Sequence, residues 1–132
     1  MSSLRQAPPP KTGKTTASIT VPLLISSSLY LDIWVPPNAK NLPVKVWIYG
    51  GGNFAGSISD PTYNGCNLAT DSIVVSINYR LGPLGFLGLS SFGIQGNMGT
   101  QDQLLGLQWV QSNIQAFGGD PVSLSSSLAV HN

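Results

Sequence analysis

Apolar and polar positions alternate through Leu29-Tyr30-Leu31-Asp32-Ile33-Trp34-Val35, with Leu29, Leu31, Ile33 and Val35 on one face. That period of two predicts a strand. After the loop Pro36-Pro37-Asn38-Ala39-Lys40-Asn41, Val44–Tyr49 predicts a second strand. It follows closely enough for the two to form an antiparallel pair. Ser72–Tyr79 is almost continuously apolar, as in a strand buried on both faces of a parallel sheet. Gly99–Ala116 predicts the main helix, with Leu104, Leu107, Val110, Ile114 and Phe117 recurring at helical spacing. Gly118-Gly119 closes it, and Asp120-Pro121 turns the chain toward a further strand at Val122–Leu124.

Between these elements the pattern lapses. Residues 1–28 read as irregular, with Pro8-Pro9-Pro10 favouring an extended backbone. Asn53–Asn64 reads as loop, Asn64–Thr70 as a short helix, and Leu81–Gly96 as a long glycine-containing loop. The order of elements points to an α/β sheet protein seen only in part. The expected division is an irregular segment at 1–28, a partial domain at 29–121 and a divergent tail at 122–132.

One stretch stands apart. The apolar run Trp47-Ile48-Tyr49 ends abruptly in Gly50-Gly51-Gly52. Glycine tolerates positive φ and leaves the backbone bare. Three after a strand point to N–H groups aimed at something negative, either a developing oxyanion or a phosphate. The phosphate option has a specific form. Gly50-x-Gly52-x-x-Ala55, with Asp71 about 20 residues on, satisfies a loose dinucleotide-binding pattern. That pattern requires a helix starting at the glycines, and Asn53–Asn64, with Pro61 and small polar residues, is a poor helix.

Composition narrows the field. Only 8% of the 132 residues are charged, against roughly 25% in ordinary domains. Such a surface fits a piece of a larger protein or one that hides surface in a partner. The net charge of +1 implies neither nucleic acid nor an acidic membrane face. The single cysteine, Cys66, allows no intrachain disulfide and reads as a small buried residue. No apolar run has the length of a signal peptide core or a membrane span, so the compartment stays open. No cofactor or metal is called for.

Four ordered blocks carry a family resemblance. They are Leu29–Pro36, Trp47–Ser57, Asn78-Tyr79-Arg80-Leu81-Gly82-Pro83-Leu84-Gly85-Phe86-Leu87, and Gly96-Asn97-Met98-Gly99-Thr100-Gln101-Asp102-Gln103 continuing to Pro121. Together they resemble the N-terminal part of type-B carboxylesterases, the cholinesterase-like branch of α/β-hydrolases. The resemblance implies a serine hydrolase acting on small-molecule carboxylic esters, with a Ser nucleophile, a His base and an orienting acid. It assigns Gly51 and Gly52 as oxyanion donors. It makes Arg80 and Asp102 a structural ion pair. Phe54 and Tyr63 become candidates to line a substrate gorge, while Trp47, Trp109 and Phe117 are expected in the core. Members of this family are often secreted.

The same resemblance exposes departures. No Gly-x-Ser-x-Gly occurs, since Gly88-Leu89-Ser90-Ser91-Phe92 fails at its last position. The chain has no Glu, and its one histidine, His131, is next to the last residue. Where the family has Ser-Glu-Asp-Cys before the first Leu-Tyr-Leu, Ile25-Ser26-Ser27-Ser28 stands instead, which removes a partner for Arg5. Both departures are abrupt, so the expectation is a truncated product without catalytic triad or activity. A non-catalytic cholinesterase-like interaction protein is the alternative, and a dinucleotide-binding fragment the remote one. A sheet covered by a single convincing helix is expected to leave apolar surface open and to aggregate when expressed alone.

Overall fold

The computed structural model describes residues 17–23 and 29–128. Five strands form one mixed sheet in the order β1-β2-β4-β3-β5. They are β1 (Ala17–Pro22), β2 (Tyr30–Val35), β3 (Leu42–Ile48), β4 (Ile73–Ile77) and β5 (Gly119–Leu128). A short helix α1 (Gly82–Phe86) and a long helix α2 (Met98–Asn113) precede β5. The chain is therefore of the α/β class.

The expected irregular segment contains a strand. β1 pairs antiparallel with β2, from Ala17 opposite Val35 to Pro22 opposite Tyr30. The β-branched residues Ile19, Thr20 and Val21 supply the propensity. The remainder of 1–28, apart from Leu23, lies outside the described residues, as do Arg5 and His131.

The expected antiparallel pairing of the second and third strands is also corrected. β2 runs antiparallel to β4, with Leu31 opposite Ile77, and β3 runs parallel to β4, with Val46 opposite Val75. All five residues of β4 are buried, so β4 takes an interior place with a neighbour on each side. The connection between β2 and β3 then spans two strand spacings, about 10 Å. Asn38 and Asn41, both at positive φ, turn the chain there.

The alternation in β4 sorts the two faces. Ile73, Val75 and Ile77 join Leu31, Ile33, Val44, Val46 and Ile48 in the main core beneath Trp109, Val110, Ile114 and Phe117. Val74 packs on the opposite face with Trp34 and Ala69. Of the expected face, Val110, Ile114 and Phe117 are buried and Leu107 packs against the core, and only Leu104 departs from it. Gly99, Asp102, Gly106, Trp109 and Val110 are buried, whereas Leu104 is 55% exposed. The decisive contact is a close approach at Gly106. A Cβ there would lie 2.6 Å from the Ile77 side chain. The helix meets β4 most closely through Gly106, and Leu104 is turned toward solvent.

After α2, a 3-10 turn at Ile114–Phe117 ends at Gly118, which is left-handed. β5 then runs parallel to β3 as far as Ile48 opposite Leu128, well beyond the three residues expected. The stretch between β4 and α2 is more ordered than a loop. It contains α1, a 3-10 turn at Ser90–Phe92 and a bridge between Leu89 and Ile94. The short helix expected at 64–70 is reduced to a 3-10 turn at Gly65–Asn67. Cys66 lies there and is exposed rather than buried, because the Asn64 side chain caps the turn and holds its backbone at the surface.

Candidate functional site: a glycine loop held by two tyrosines

The glycine loop begins where β3 leaves the sheet. Gly51, Gly52 and Asn53 are all at positive φ. The Gly51 carbonyl accepts from the N–H of Phe54 at 3.0 Å and of Ala55 at 3.2 Å. The turn therefore folds back over Gly51, and a Cβ at that position would lie 1.8 Å from the Ala55 carbonyl oxygen. A Cβ at Gly52 would meet nothing within 4 Å. Among the described residues, no acceptor pairs with the N–H of Gly51 or Gly52. The two donors lie beside each other at a sheet end, with Gly52 open to solvent and Gly51 half-buried.

Two tyrosines that the sequence reading passed over hold this end in place. Tyr49 follows β3 and Tyr79 follows β4, and their rings stack with centroids 4.7 Å apart. The Tyr79 hydroxyl donates to the Tyr49 carbonyl at 2.6 Å, and the Tyr49 hydroxyl donates to the Tyr79 carbonyl at 3.2 Å. Both carbonyls lie just beyond their strands, where no ladder partner serves them. The signal was available as one tyrosine at the end of each of two expected strands.

Burial pushes both phenols above their ordinary value of 10.0. The protonated form is the one the fold holds. This contribution is fully present below pH ~10, the unfolded phenol value, and is lost as pH rises through the higher folded values. Stability is therefore expected to fall on the alkaline side. Tyr79→Phe, which removes the shorter bond, is expected to cost about 1 kcal/mol at neutral pH and to flatten the alkaline fall. Urea titrations at neutral and alkaline pH for both proteins check this, and an unchanged alkaline slope in the variant refutes it.

A second tie reaches the loop from below. The N–H of Gly82 donates to the Asn53 carbonyl at 2.7 Å, joining the loop to the start of α1. Just before it, Arg80 and Asp102 meet. Arg80 Nε donates to Asp102 Oδ2 and Nη2 to Oδ1, both at 2.7 Å, and the Arg80 backbone N–H adds a bond at 3.1 Å. The hydrogen bonds to Asp102 raise the Arg80 pKa further. The pair fixes the first turn of α2 against the segment that leaves β4.

Phe54 and Tyr63 are not brought together. Phe54 is 79% exposed. Tyr63 is half-buried and packs tilted on Trp47, with centroids 5.7 Å apart. With Trp34, Leu68, Val74 and Ser76, these two rings line a cavity of about 230 Å³ on the sheet face away from α2. Trp47 Nε1 and Ser76 Oγ are buried there without partners among the described residues. Trp47 is thus only partly covered, whereas Trp109 and Phe117 are in the core.

No helix begins at the glycines. The backbone turns through Gly51–Ala55, and the first helical turn is the 3-10 segment Pro61–Tyr63, capped by Asp60. Asp71 is engaged with Lys45 at 3.4 Å and with the Ser72 hydroxyl at 3.1 Å. The dinucleotide arrangement needs a helix N-terminus at the phosphate, and this loop provides none.

The model of the carboxylesterase family matches residues 8–125. The chain belongs to the carboxylesterase family. Cholinesterase 1 of Branchiostoma lanceolatum is 56% identical to this family member over 96 residues, covering 70% of the chain and 27% of the relative. Para-nitrobenzyl esterase of Bacillus subtilis (strain 168) is 52% identical over 98 residues, covering 70% of the chain and 20% of the relative. A solved PNB esterase superposes with a TM-score of 0.74 at 47% identity, covering 77% of the chain and 23% of that structure. The chain thus spans about a quarter or less of the length of these proteins.

Proposed function

We propose that this chain is the oxyanion-loop portion of a carboxylic ester hydrolase and has no esterase turnover of its own. The reading rests chiefly on the paired donors of Gly51 and Gly52, which lack an acceptor among the described residues at a rigidly tied sheet end. Preorganised N–H groups of this kind stabilise the negative oxygen that develops when an ester carbonyl is attacked. The attacking group is the missing half. No serine sits in Gly-x-Ser-x-Gly and no glutamate is present. A serine hydroxyl without a positioned base is a weak nucleophile.

The reading has two readouts. Incubated with p-nitrophenyl butyrate and, separately, with a fluorophosphonate probe, the chain is expected to show neither turnover nor covalent labelling. Turnover together with labelling refutes the inactivity. Titration with methylphosphonate, a small tetrahedral anion, is expected to shift the backbone amide resonances of Gly51 and Gly52 selectively. Shifts spread evenly over the surface, or none at all, refute the oxyanion role.

A further inference from the structure

The two candidate donors belong to successive peptide planes. A trans peptide is planar, and its N–H points opposite to its C=O. The Gly51 N–H therefore takes its direction from the Gly50 carbonyl, and the Gly52 N–H from the Gly51 carbonyl. The second plane is held directly, because the Gly51 carbonyl accepts from the N–H groups of Phe54 and Ala55. The first plane lies between that turn and Tyr49. Its strand-side end is held at the Tyr49 carbonyl.

Tyr49 is buried and is fixed from several directions. Its carbonyl accepts from the Tyr79 hydroxyl at 2.6 Å. Its own hydroxyl donates to the Tyr79 carbonyl at 3.2 Å and accepts from the Tyr79 N–H at 3.5 Å. The two rings stack with 23° between their planes. The far end of the glycine loop closes on the same ring. Gly56 has a φ of +137°, and a Cβ there would lie 2.5 Å from Tyr49 Cδ2 and 2.9 Å from the Gly50 carbonyl oxygen. The loop thus leaves from Tyr49 and returns against it, and the carbonyl that directs the Gly51 N–H lies beside that return. All of these contacts are made among residues 49–79.

We infer that Tyr79 is a positioning residue for the oxyanion donors, acting through Tyr49 and setting the direction of the Gly51 N–H. The inference rests on the oxyanion reading of Gly51 and Gly52. It assigns the two donors to two devices: the turn onto the Gly51 carbonyl aims Gly52, and the tyrosine pair with Gly56 aims Gly51. Loss of the Tyr79 hydroxyl then misdirects one donor without opening the turn.

Residual dipolar couplings of the amide N–H vectors in the full chain, measured beside a methylphosphonate titration, test this. In Tyr79→Phe the Gly51 coupling is expected to change, while those of Gly52, Phe54 and Ala55 stay near the wild-type values. Methylphosphonate binding is expected to weaken about tenfold, the effect of losing one hydrogen bond to a charged group. Tyr49→Phe, which loses the 3.2 Å bond, is expected to change the Gly51 coupling in the same sense by a smaller amount. Ile33→Val trims a fully buried side chain in β2 and separates positioning from general loss of stability. It is expected to leave the couplings and the binding unchanged. An unchanged Gly51 coupling in both tyrosine variants overturns the inference, and so does an equal change in Ile33→Val. If methylphosphonate shifts neither glycine amide of the wild type, the oxyanion reading fails, and the couplings alone still decide whether Tyr79 directs the Gly51 N–H.

Discussion

Arg80→Ala is expected to destabilise the chain by about 3 kcal/mol, the lower end of the range for breaking a buried ion pair. The cost arises on the Asp102 side. That carboxylate is 4% exposed, whereas the Arg80 side chain is 37% exposed. Removing the guanidinium takes away two short bonds and leaves a buried negative charge served only by the Arg80 backbone N–H. Removing the other partner is gentler. In Asp102→Asn the guanidinium remains in reach of water, and an amide oxygen still accepts one bond, so the expected cost is about 1 kcal/mol. Urea denaturation of the two variants measures the asymmetry. Losses of about 0–1 kcal/mol in both variants would show that the pair acts as an ordinary surface salt bridge. Against a total stability of roughly 5–15 kcal/mol for a domain, the larger loss is substantial, and it falls at the junction of β4, α1 and α2.

How legible this was in the sequence depended on how local each signal is. β2, β4 and α2 were readable because period two, continuous burial and helical spacing are properties of short windows. Pairing was not readable in the same way. Leu29–Val35 and Val44–Tyr49 look like a hairpin when taken alone, and only the burial of both faces of Ile73–Ile77 forces a strand between them. One position of the face expected for α2, Leu104, was misassigned for a related reason. Counting leucines ignores Gly106, where α2 comes so close to β4 that a Cβ would lie 2.6 Å from the Ile77 side chain. β1 was missed because prolines and serines on either side outweighed a run of β-branched residues.

The candidate site shows the same division. The glycine run was conspicuous by itself, but the choice of Gly51 and Gly52 as donors and the pairing of Arg80 with Asp102 came from the family resemblance. Tyr49 and Tyr79 did not stand out. A tyrosine at a strand end looks like any core aromatic until the structure shows its hydroxyl serving the other strand's carbonyl. The cavity beneath Trp47 and Tyr63 was equally hidden, since it depends on how residues 62–68 cross the sheet.

Gly51→Ala is expected to unfold the glycine loop, while Gly52→Ala is expected to leave it standing. The two positions are neighbours with the same sequence signal, and only their surroundings separate them. At Gly51, φ is +133°, a region essentially closed to side chains, at a cost of about 1–3 kcal/mol. The added Cβ would also sit 1.8 Å from the Ala55 carbonyl oxygen, which belongs to the backbone and has no rotamer to retreat to. The turn that returns Phe54 and Ala55 to the Gly51 carbonyl must open, and the combined loss is expected to reach about 3 kcal/mol or more. At Gly52, φ is +60° and nothing lies within 4 Å, so alanine pays only for the left-handed backbone, about 1 kcal/mol. Amide spectra distinguish the cases. Gly51→Ala is expected to move resonances from residue 50 through 57 and that of Gly82, whose N–H is tied to Asn53. Gly52→Ala is expected to move only its immediate neighbours while keeping both donors in place. If Gly51→Ala preserves the resonances of Phe54, Ala55 and Gly82, the turn is not what positions the two N–H groups, and the oxyanion reading loses its geometric basis.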